Sequence, residues 1–390
     1  MISVAEALDH LFALVSPLGT ESVRLSDAAG RVLAEDALAT RDQPPFAASA
    51  MDGYAVRDAD ARPGARFQVV GEAAAGHRFA GAIAAGEALR IFTGAPLPSG
   101  ADRIVIQEDV VAQGDHIEIT ENLSPESYVR PAGSDFAVGD RLAAPRALTP
   151  AEITLLASMN LSQARVFRRP DVAIIATGDE LVMPGETPRD DQIIASNSFG
   201  LKALLEKAGA TCRVLPIARD TLPALETVLG AAADADLIVT TGGASVGDHD
   251  LLGNQAERLG LVRDFYKVAM RPGKPLMAGR IAGAPLVGLP GNPVSSIVCG
   301  TIFVSPLIRR LQGLPAEPCV RERAYLAEDI PANGPREHYA RGRVDAEGAV
   351  IFARQDSSLV TVLVEANALI VRAPHAPAAP AGCPIEFIRI

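Results

Sequence analysis

Cysteine is scarce in this chain, and its copies form no disulfide or metal-binding pattern. The four cysteines lie far apart, at Cys212, Cys299, Cys319 and Cys383, with no Cys-x-x-Cys pair among them. This spacing argues against a disulfide framework and against a cysteine-based zinc site. It favours a reducing compartment, so we expect a cytoplasmic protein.

Long apolar runs and an excess of positive charge are also lacking. No run of 18 or more apolar residues occurs, so no transmembrane helix is expected. The N-terminus has no basic region before an apolar core, so no secretory signal is expected. With 36 basic and 47 acidic side chains, the formal net charge is −11, which disfavours nucleic-acid binding. We therefore expect neither nucleic acid nor membrane as a partner, and an anionic ligand needs a local basic pocket or a metal ion.

The first part of the 390-residue chain predicts a helical and extended domain that is interrupted by a small β module. Ser3–Glu6 and Thr149–Glu152 each match a capping box, which starts a helix, and Asp27–Glu35 is predicted as a further helical stretch. Between them, glycine and proline turns separate short β-type runs. The runs are Phe67–Val70, Leu89–Phe92, Arg103–Ile106 and His116–Ile119. We assign residues 1–45 and 141–169 to the helical domain and residues 46–140 to the inserted module.

The second part alternates apolar strands with amphipathic helices, which predicts a doubly wound α/β domain with a parallel sheet over residues 170–315. The predicted strands are Val172–Ala176, Arg213–Ile217, Leu237–Thr240, Phe265–Ala269 and Leu286–Leu289. The predicted helices are Asn197–Ala208, Leu222–Ala233, Leu251–Leu259 and Val294–Leu311. Residues 316–390 alternate apolar and polar positions in short runs, which predicts a C-terminal β domain of barrel or sandwich type. Its runs are His338–Val344, Ala349–Arg354 and Ala368–Arg372.

The segment Ile238–Asp250 carries the strongest functional signal. It starts as a buried strand and ends in a loop where Gly242, Gly243 and Gly247 allow the backbone to approach a ligand closely. Ser245 adds a hydroxyl, and Asp248 and Asp250 add hard oxygen ligands. Such a loop suits a phosphorylated ligand with a divalent cation. The alternative is an ordinary strand-to-helix turn with Asp250 as a helix cap.

Carboxylates follow several of the predicted parallel strands. In an open α/β sheet, ligands bind beyond the carboxyl ends of the strands, so these side chains are expected at one rim. Mg²⁺ prefers few carboxylates together with ligand phosphates and water. We therefore predict Glu180, Asp220 and Asp250 as Mg²⁺ ligands, although Asp220 alone could simply cap the next helix.

Two further segments could bind anions. Pro290, Gly291, Asn292 and Pro293 precede a helix whose N-terminus would present unpaired N–H groups, but they could also form only a connection. The Arg271-Pro-Gly-Lys274 turn projects two cations that could hold a dianion, or it could be a solvated surface turn.

Together these motifs resemble the molybdopterin molybdenumtransferases, the molybdenum insertase family that includes the C-terminal domain of gephyrin. The matching segments occur in the family order over nearly the whole chain. They are Ser49-Ala-Met-Asp-Gly-Tyr-Ala-Val56, Thr93-Gly-Ala-Pro96, Thr177-Gly-Asp-Glu-Leu181, Gly242-Gly-Ala-Ser-Val-Gly247, Arg271-Pro-Gly-Lys-Pro275 and Gly288-Leu-Pro-Gly-Asn-Pro-Val-Ser295.

The resemblance implies a four-part subunit and a homodimer whose cleft is shared between the α/β domain of one subunit and the β module of the other. It implies Mg²⁺-dependent conversion of adenylylated molybdopterin and molybdate to molybdenum cofactor and AMP. A molybdopterin adenylyltransferase and molybdoenzyme apoproteins or their chaperones are the implied partners. The positions that match family residues tied to activity are Asp52, Thr93, Asp135, Glu180, Asp220 and Asp250.

The same resemblance implies a molybdate pocket. It is carried by Ser245, Arg271, Lys274, Pro275, Arg341 and a C-terminal serine placed at Ser357, with the adjacent Ser358 as the alternative. Lys267 is nearby, and Pro290 and Pro293 are structural prolines. Arg271 stands where some members carry lysine, and arginine donates as a planar fork rather than as a point charge.

Three other functions are compatible with parts of this pattern. A molybdopterin adenylyltransferase and a competence-associated nicotinamide-nucleotide deamidase share the α/β domain, but neither explains the front half of the chain. A gephyrin-like scaffold shares the whole architecture, because a fold does not determine a function.

Overall fold

The computed structural model describes residues 1–242, 258 and 260–390. They divide into two compact units. Unit 1 comprises 1–21, 30–34 and 166–390, and unit 2 comprises 22–29 and 35–165. Apart from Arg258, the helix predicted over 251–259 lies outside the described residues. The finer four-part division stays a prediction.

Seven α-helices lie in the described part of the chain. They are α1 Val4–Leu14, α2 Pro150–Ser158, α3 Asn197–Lys207, α4 Leu222–Ala231, α5 Pro293–Cys299, α6 Ser305–Leu311 and α7 Val360–Glu365, with a π-helical segment, Gly300–Val304, between α5 and α6.

The strands are mostly short. They are β1 Thr20–Arg24, β2 Val32–Leu33, β3 Ala37–Leu38, β4 Ala48–Ser49, β5 Gly53–Val56, β6 Arg66–Ala73, β7 Glu87–Ile91, β8 Arg103–Ile106, β9 Val110–Gln113, β10 His116–Ile119, β11 Val129–Arg130, β12 Arg141–Leu142, β13 Arg146–Ala147, β14 Gln163–Phe167, β15 Asp171–Ala176, β16 Leu181–Val182, β17 Ile193–Ile194, β18 Thr211–Val214, β19 Leu237–Thr241, β20 Leu261–Tyr266, β21 Met270–Arg271, β22 Met277–Ile281, β23 Ala284–Leu289, β24 Glu322–Tyr325, β25 Glu337–Asp345, β26 Gly348–Ile351, β27 Ala368–Arg372 and β28 Pro384–Arg389.

Both predicted capping boxes are confirmed, since reciprocal hydrogen bonds at Ser3 and Thr149 start α1 and α2. The helix predicted over Asp27–Glu35 is wrong. A short 3₁₀ turn ends at Asp27, and β2 follows at Val32. Gly30 at φ +73° lies between them, and this left-handed conformation interrupts a right-handed helix.

Unit 2 contains the predicted β module as a six-stranded sheet in the order β8-β5-β7-β6-β10-β9. All four predicted strands are present. The sheet buries apolar side chains on both faces, including Leu89 and Ile104 on one and Phe67 and Ile117 on the other. Antiparallel pairing of β5 with β7 sets Gly53 opposite Ile91. The residue before β5 therefore lies close to the segment that follows β7.

Unit 1 contains an α/β sheet in the order β18-β15-β19-β23-β22-β20, and helices cover both of its faces. Val172, Ile174 and Val239 face α1, α3, α5 and α6, whereas the alternating residues Ala173 and Ile175 face α4. This doubly wound arrangement follows from the period of two in strand side chains.

The sheet is mixed rather than parallel, which corrects the prediction. β18, β15, β19 and β23 are parallel, but β22 and β20 run antiparallel to their neighbours. β22 was not predicted, and β20 covers 261–266 instead of 265–269. Ala282 and Gly283, both at positive φ, form the two-residue connection between β22 and β23. So short a connection can join only antiparallel strands.

The continuous helical segment Pro293–Leu311 is long and apolar enough, by length and composition, to cross a membrane. However, 78% of its most apolar stretch is buried. Val294, Phe303 and Leu307 lie in the core against the α/β sheet. Packing in this core accounts for its composition.

The C-terminal strands form a second sheet of unit 1, in the order β21-β25-β27-β28-β24, with β26 paired to β25. An isolated bridge between Leu326 and Ala349 brings the end of β24 to β26, so the sheet curls towards a barrel. β21 belongs to the segment 267–275, and its parallel pairing sets Arg271 beside His338. The α/β sheet and the C-terminal sheet therefore meet at the basic Arg271-Pro-Gly-Lys turn.

Candidate functional site

A cleft of about 570 Å³ opens in unit 1 where β15, β19 and β23 end. β15 has β18 on one side and β19 on the other, so the cleft lies at the point where the strand order reverses, the usual ligand position in such sheets. Its lining includes Thr177, Glu180, Ile193, Ile194, Asn197, Gly242, Pro275, Pro290, Gly291, Asn292, Pro293 and Ser358.

The floor of the cleft depends on a close approach of backbone segments. Gly242 has φ +86°, and a Cβ atom there would lie 2.5 Å from the Thr177 carbonyl oxygen. A Cβ atom on Gly291 would lie 3.5 Å from the Gly242 Cα. A larger residue at position 242 is therefore excluded by both conformation and space.

Two asparagines hold the Pro290–Pro293 turn in place. Asn197 Nδ2, at the start of α3, donates to the Gly291 carbonyl oxygen at 2.7 Å. Asn292 Nδ2 donates to Ser357 Oγ at 2.9 Å, and Val294 N donates to the Ser357 carbonyl oxygen at 3.1 Å. Ser357 thus contacts the turn, while its neighbour Ser358 lines the cleft.

The acidic residues of the rim lie on two adjoining loops. Glu180 is exposed and lines the cleft. Asp179 Oδ1 accepts from Asp220 N at 3.1 Å, and Arg219 Nη1 donates to the Asp179 and Leu181 carbonyl oxygens, both at 3.0 Å. These bonds set the loops of Glu180 and Asp220 side by side. Within residues 1–242, 258 and 260–390, no three His, Cys, Asp or Glu side chains are grouped closely enough to hold a metal ion.

Arg341 is the most unusual basic residue of unit 1, because its side chain is 1% exposed. Its Nη1 donates to the carbonyl oxygens of Asp356 and Leu359 at 3.0 and 3.4 Å. Its Nε and Nη2 are buried and have no hydrogen-bond partner among the described residues. Burial lowers the pKa of Arg341, yet a guanidinium stays charged at neutral pH. A buried cation with unpaired donors is suited to an anionic ligand.

Other basic residues surround this region. Arg271 is exposed and lines a second cavity of about 470 Å³ together with His338 and Arg372. Burial, with Arg271 and Arg341 nearby, lowers the pKa of His338 to about 4, so its ring is neutral at physiological pH. Lys274 is exposed. The cation of Lys267 lies 5.0 Å from the centre of the Tyr266 ring.

In unit 2, Asp52 and Thr93 contact each other directly. Asp52 Oδ1 accepts from both the Thr93 backbone N and Thr93 Oγ1 at 2.8 Å. The backbone hydrogen bond, followed by the hydroxyl, lowers the pKa of Asp52. Asp135 is exposed on a separate segment, where its N donates to the Gln43 carbonyl oxygen at 2.9 Å.

The structure therefore brings some of the predicted residues together in three groups, while Asp135, Asp220, Lys267, Arg271 and Lys274 belong to none of them. Glu180, Gly242, Pro275, Pro290, Gly291, Asn292 and Pro293 line the cleft; Asp52 pairs with Thr93 in unit 2; and Arg341 is buried beside the loop that carries Ser357. Gly243, Ser245, Gly247, Asp248 and Asp250 lie outside the described residues.

Three residues that contact the site were not identified from the sequence. Asn197 holds the Pro290–Pro293 turn, and its place at the start of a predicted helix was an available signal. Gln355 hydrogen-bonds with the Arg341 backbone, and His338 pairs with Arg271. The His338 contact follows from the pairing of β21 with β25, and Gln355 lies in the loop after β26. Neither offered a sequence signal.

Sequence profiles of three domains match the chain in order. "MoeA N-terminal region (domain I and II)" matches residues 2–160, "Probable molybdopterin binding domain" matches 173–310, and "MoeA C-terminal region (domain IV)" matches 323–390.

Full-length relatives and solved structures show the same similarity. The molybdopterin molybdenumtransferase of Nostoc sp. is 37% identical over 95% of this chain and 90% of its own length. That of Haemophilus influenzae is 39% identical over 76% and 74%. Two solved molybdopterin biosynthesis moeA proteins from Pyrococcus horikoshii are 29% and 25% identical, with TM-scores of 0.82 and 0.86. The matches cover 100% of this chain and 99% and 100% of those chains.

Proposed function

This chain belongs to the molybdopterin molybdenumtransferase family, which are enzymes of molybdenum cofactor biosynthesis, and from that premise we propose that it inserts molybdate into adenylylated molybdopterin with release of AMP. The two substrates differ in chemistry. Molybdate is a small dianion, and the adenylylated pterin is a large ligand with a phosphoanhydride.

The single observation that carries the proposal is the guanidinium edge of Arg341, whose buried Nε and Nη2 have no hydrogen-bond partner within residues 1–242, 258 and 260–390. Two buried donors without a protein partner are costly unless a ligand oxygen accepts from them. A tetrahedral oxyanion can accept from both, since adjacent guanidinium N–H groups bind two oxygens at once. Arg271 and Lys274 add positive charge at the meeting of the two sheets, which an overall acidic protein needs in order to attract a dianion.

The cleft at the strand ends supports binding of the larger substrate. Its volume of about 570 Å³ falls within the range of small-molecule sites. The exposed apolar pair Ile193 and Ile194 offers a surface for a planar ring. The Gly242 backbone and the Pro290–Pro293 turn allow a phosphate to approach the main chain closely.

Mg²⁺ is the cation we propose for this site, with Glu180 and Asp220 as its described protein ligands and Asp250 as a further one outside the described residues. The Glu180 and Asp220 carboxylates lie on two loops that are joined by hydrogen bonds from Arg219. This donor set fits Mg²⁺, which prefers few protein oxygens and fills its remaining coordination positions with phosphate and water. When bound, the ion supplies charge neutralisation at the phosphoanhydride.

For Asp52 and Thr93 we propose a role in a homodimer, in which the β module of one protomer completes the cleft of its partner. The Asp52 carboxylate is held by two donors from Thr93, so it is oriented before any ligand arrives. Such preorganisation is the main contribution expected of residues that position a substrate.

The residues of this chain would act mainly by positioning. The Arg341 and Arg271 guanidinium groups hold the oxyanion, while the cleft holds the AMP part and fixes the phosphoanhydride near the rim acids. Charge that develops on the departing phosphate is then met by fixed donors rather than by reorganising water.

The competing functions differ in what they consume. An adenylyltransferase would consume ATP and molybdopterin, whereas a scaffold would consume none of these molecules. Purified protein with adenylylated molybdopterin, Mg²⁺ and molybdate should release AMP in step with active cofactor. ATP consumption with molybdopterin, or AMP release that is independent of Arg341, would contradict the proposal.

A further inference from the structure

One segment of unit 1, residues 355–359, hydrogen-bonds with Arg341 through Gln355, Asp356 and Leu359, and we call it the bridging loop. Gln355 Oε1 accepts from Arg341 N at 3.0 Å, and Gln355 Nε2 donates to the Arg341 carbonyl oxygen at 2.8 Å. The carbonyl oxygens of Asp356 and Leu359 accept from Arg341 Nη1. The bridging loop therefore determines how the unpaired Nε and Nη2 edge is oriented.

The same loop is bonded to the start of α5 at the mouth of the cleft. The Ser357 carbonyl oxygen accepts from Val294 N, and Ser357 Oγ accepts from Asn292 Nδ2. Asn292 is exposed within the cleft lining, and Ser358 also lines the cleft. A ligand that contacts the Asn292 turn therefore contacts a residue that is hydrogen-bonded to the bridging loop, and that loop in turn hydrogen-bonds with Arg341.

We propose that the bridging loop couples the two halves of the site, with Asn292 as the positioning residue. A nucleotide in the cleft immobilises the Asn292 turn, and the Asn292–Ser357 hydrogen bond passes that constraint to the carbonyl groups that aim Arg341. The oxyanion then binds a guanidinium that is already oriented, so less ordering opposes its binding. This inference rests on the proposed function, because it assigns a nucleotide to the cleft and an oxyanion to Arg341.

Coupling of this kind is measurable without turnover. The affinity of the purified protein for molybdate is measured by calorimetry with and without saturating AMP and Mg²⁺. AMP should tighten molybdate binding at least about fivefold, the lower end of ordinary coupling between sites. Molybdate should tighten AMP binding by the same factor, since coupling free energies are reciprocal.

The Asn292→Ala variant removes the side-chain hydrogen bond to Ser357 and leaves the backbone bond from Val294 N to the Ser357 carbonyl oxygen. Its coupling factor should therefore fall well below the wild-type value. Asn197→Ala is the matched control, because it removes a hydrogen bond from the same turn without touching the bridging loop. That control should weaken AMP binding and keep the coupling factor. Ser357→Ala deletes the acceptor instead, so Asn292→Ala and Ser357→Ala should be non-additive in a double-mutant cycle.

Two results would overturn the inference while leaving the proposed function intact. One is an unchanged molybdate affinity when AMP saturates the wild-type protein. The other is an equal loss of coupling in Asn197→Ala and Asn292→Ala, which would indicate general loosening of the turn. Absence of binding for both ligands would instead contradict the proposed function. If Asn292→Ala does not fold, Ser357→Ala provides the same comparison against the control.

Discussion

Replacement of Arg341 by methionine separates a ligand-binding arginine from a structural one. Methionine has a similar length but no charge or donors, so the variant loses the two unpaired donors together with the Nη1 hydrogen bonds. A hydrogen bond to a charged group contributes about 1.5–3 kcal/mol. Two such bonds to molybdate correspond to about 3–6 kcal/mol, or a loss of affinity of about 10²–10⁴-fold.

The stability of the ligand-free variant should change little. Loss of the Nη1 bonds leaves the Asp356 and Leu359 carbonyl oxygens without that donor, which costs about 1–3 kcal/mol. Removal of two buried, unpaired N–H groups relieves a penalty of similar size. We therefore expect the free energy of unfolding to change by less than about 2 kcal/mol, whereas molybdate at a hundred times its wild-type Kd should stabilise only the wild type, by about 2.7 kcal/mol.

Arg372→Met is the matched control. Arg372 is also buried, but its Nη2 donates to the carbonyl oxygens of Pro331, Ala376 and Pro377. This variant should lose stability and retain molybdate binding. Thermal unfolding with and without molybdate, together with calorimetric titration, measures both quantities. Wild-type affinity in Arg341→Met, or a large loss of its ligand-free stability, would refute the assignment.

Three further predictions address the rest of unit 1. Asp220→Ala should let adenylylated molybdopterin bind but slow AMP release, which rapid-quench assays measure; a wild-type rate would remove its metal-binding role. Gly242→Ala should destabilise the protein by about 1–3 kcal/mol in urea unfolding, because its Cβ would collide with the Thr177 carbonyl oxygen at a positive φ; unchanged stability would show that the two strands separate easily. Because the pKa of His338 falls from 6.5 to about 4 on folding, the unfolded chain binds more protons between these values. Stability should therefore decrease as the pH falls from 6.5 to 4, by at most about 3 kcal/mol, and His338→Gln should flatten this decline; an unchanged slope in acid unfolding would contradict the cause given.

Local signals predicted local structure well. Each capping box at Ser3 and Thr149 needs only four residues to specify a helix start, and both were found in place. The helix predicted from Asp27 failed because Gly30 adopts a left-handed conformation, a choice that composition alone does not specify. The all-parallel prediction failed for a different reason, since the Ala282–Gly283 turn was not recognised in the sequence and the antiparallel strand β22 that it joins to β23 was therefore missed.

The site shows the same limit. Glu180, Gly242 and the Pro290–Pro293 turn were grouped from the sequence as strand-end residues, and they line one cleft because parallel strands finish at one edge. Their roles stay predictions. The burial of Arg341 could not be predicted, since it depends on β25 pairing with β27 and on a loop fourteen or more residues away. Contacts between residues that are far apart in the sequence cannot be predicted from hydrophobic periodicity.

The position of α1 has a consequence for how the protein is made. Val4, Leu8 and Leu11 pack into a core that also contains Phe265 and Leu307. During synthesis, the first helix therefore leaves the ribosome some 250 residues before its neighbours are translated. Its apolar face stays uncovered for most of that period, while unit 2 has its own cores and can finish folding. Unit 1 can therefore complete its core only after most of the chain has been synthesised. Nascent chains that stall before Leu307 should depend most strongly on chaperones.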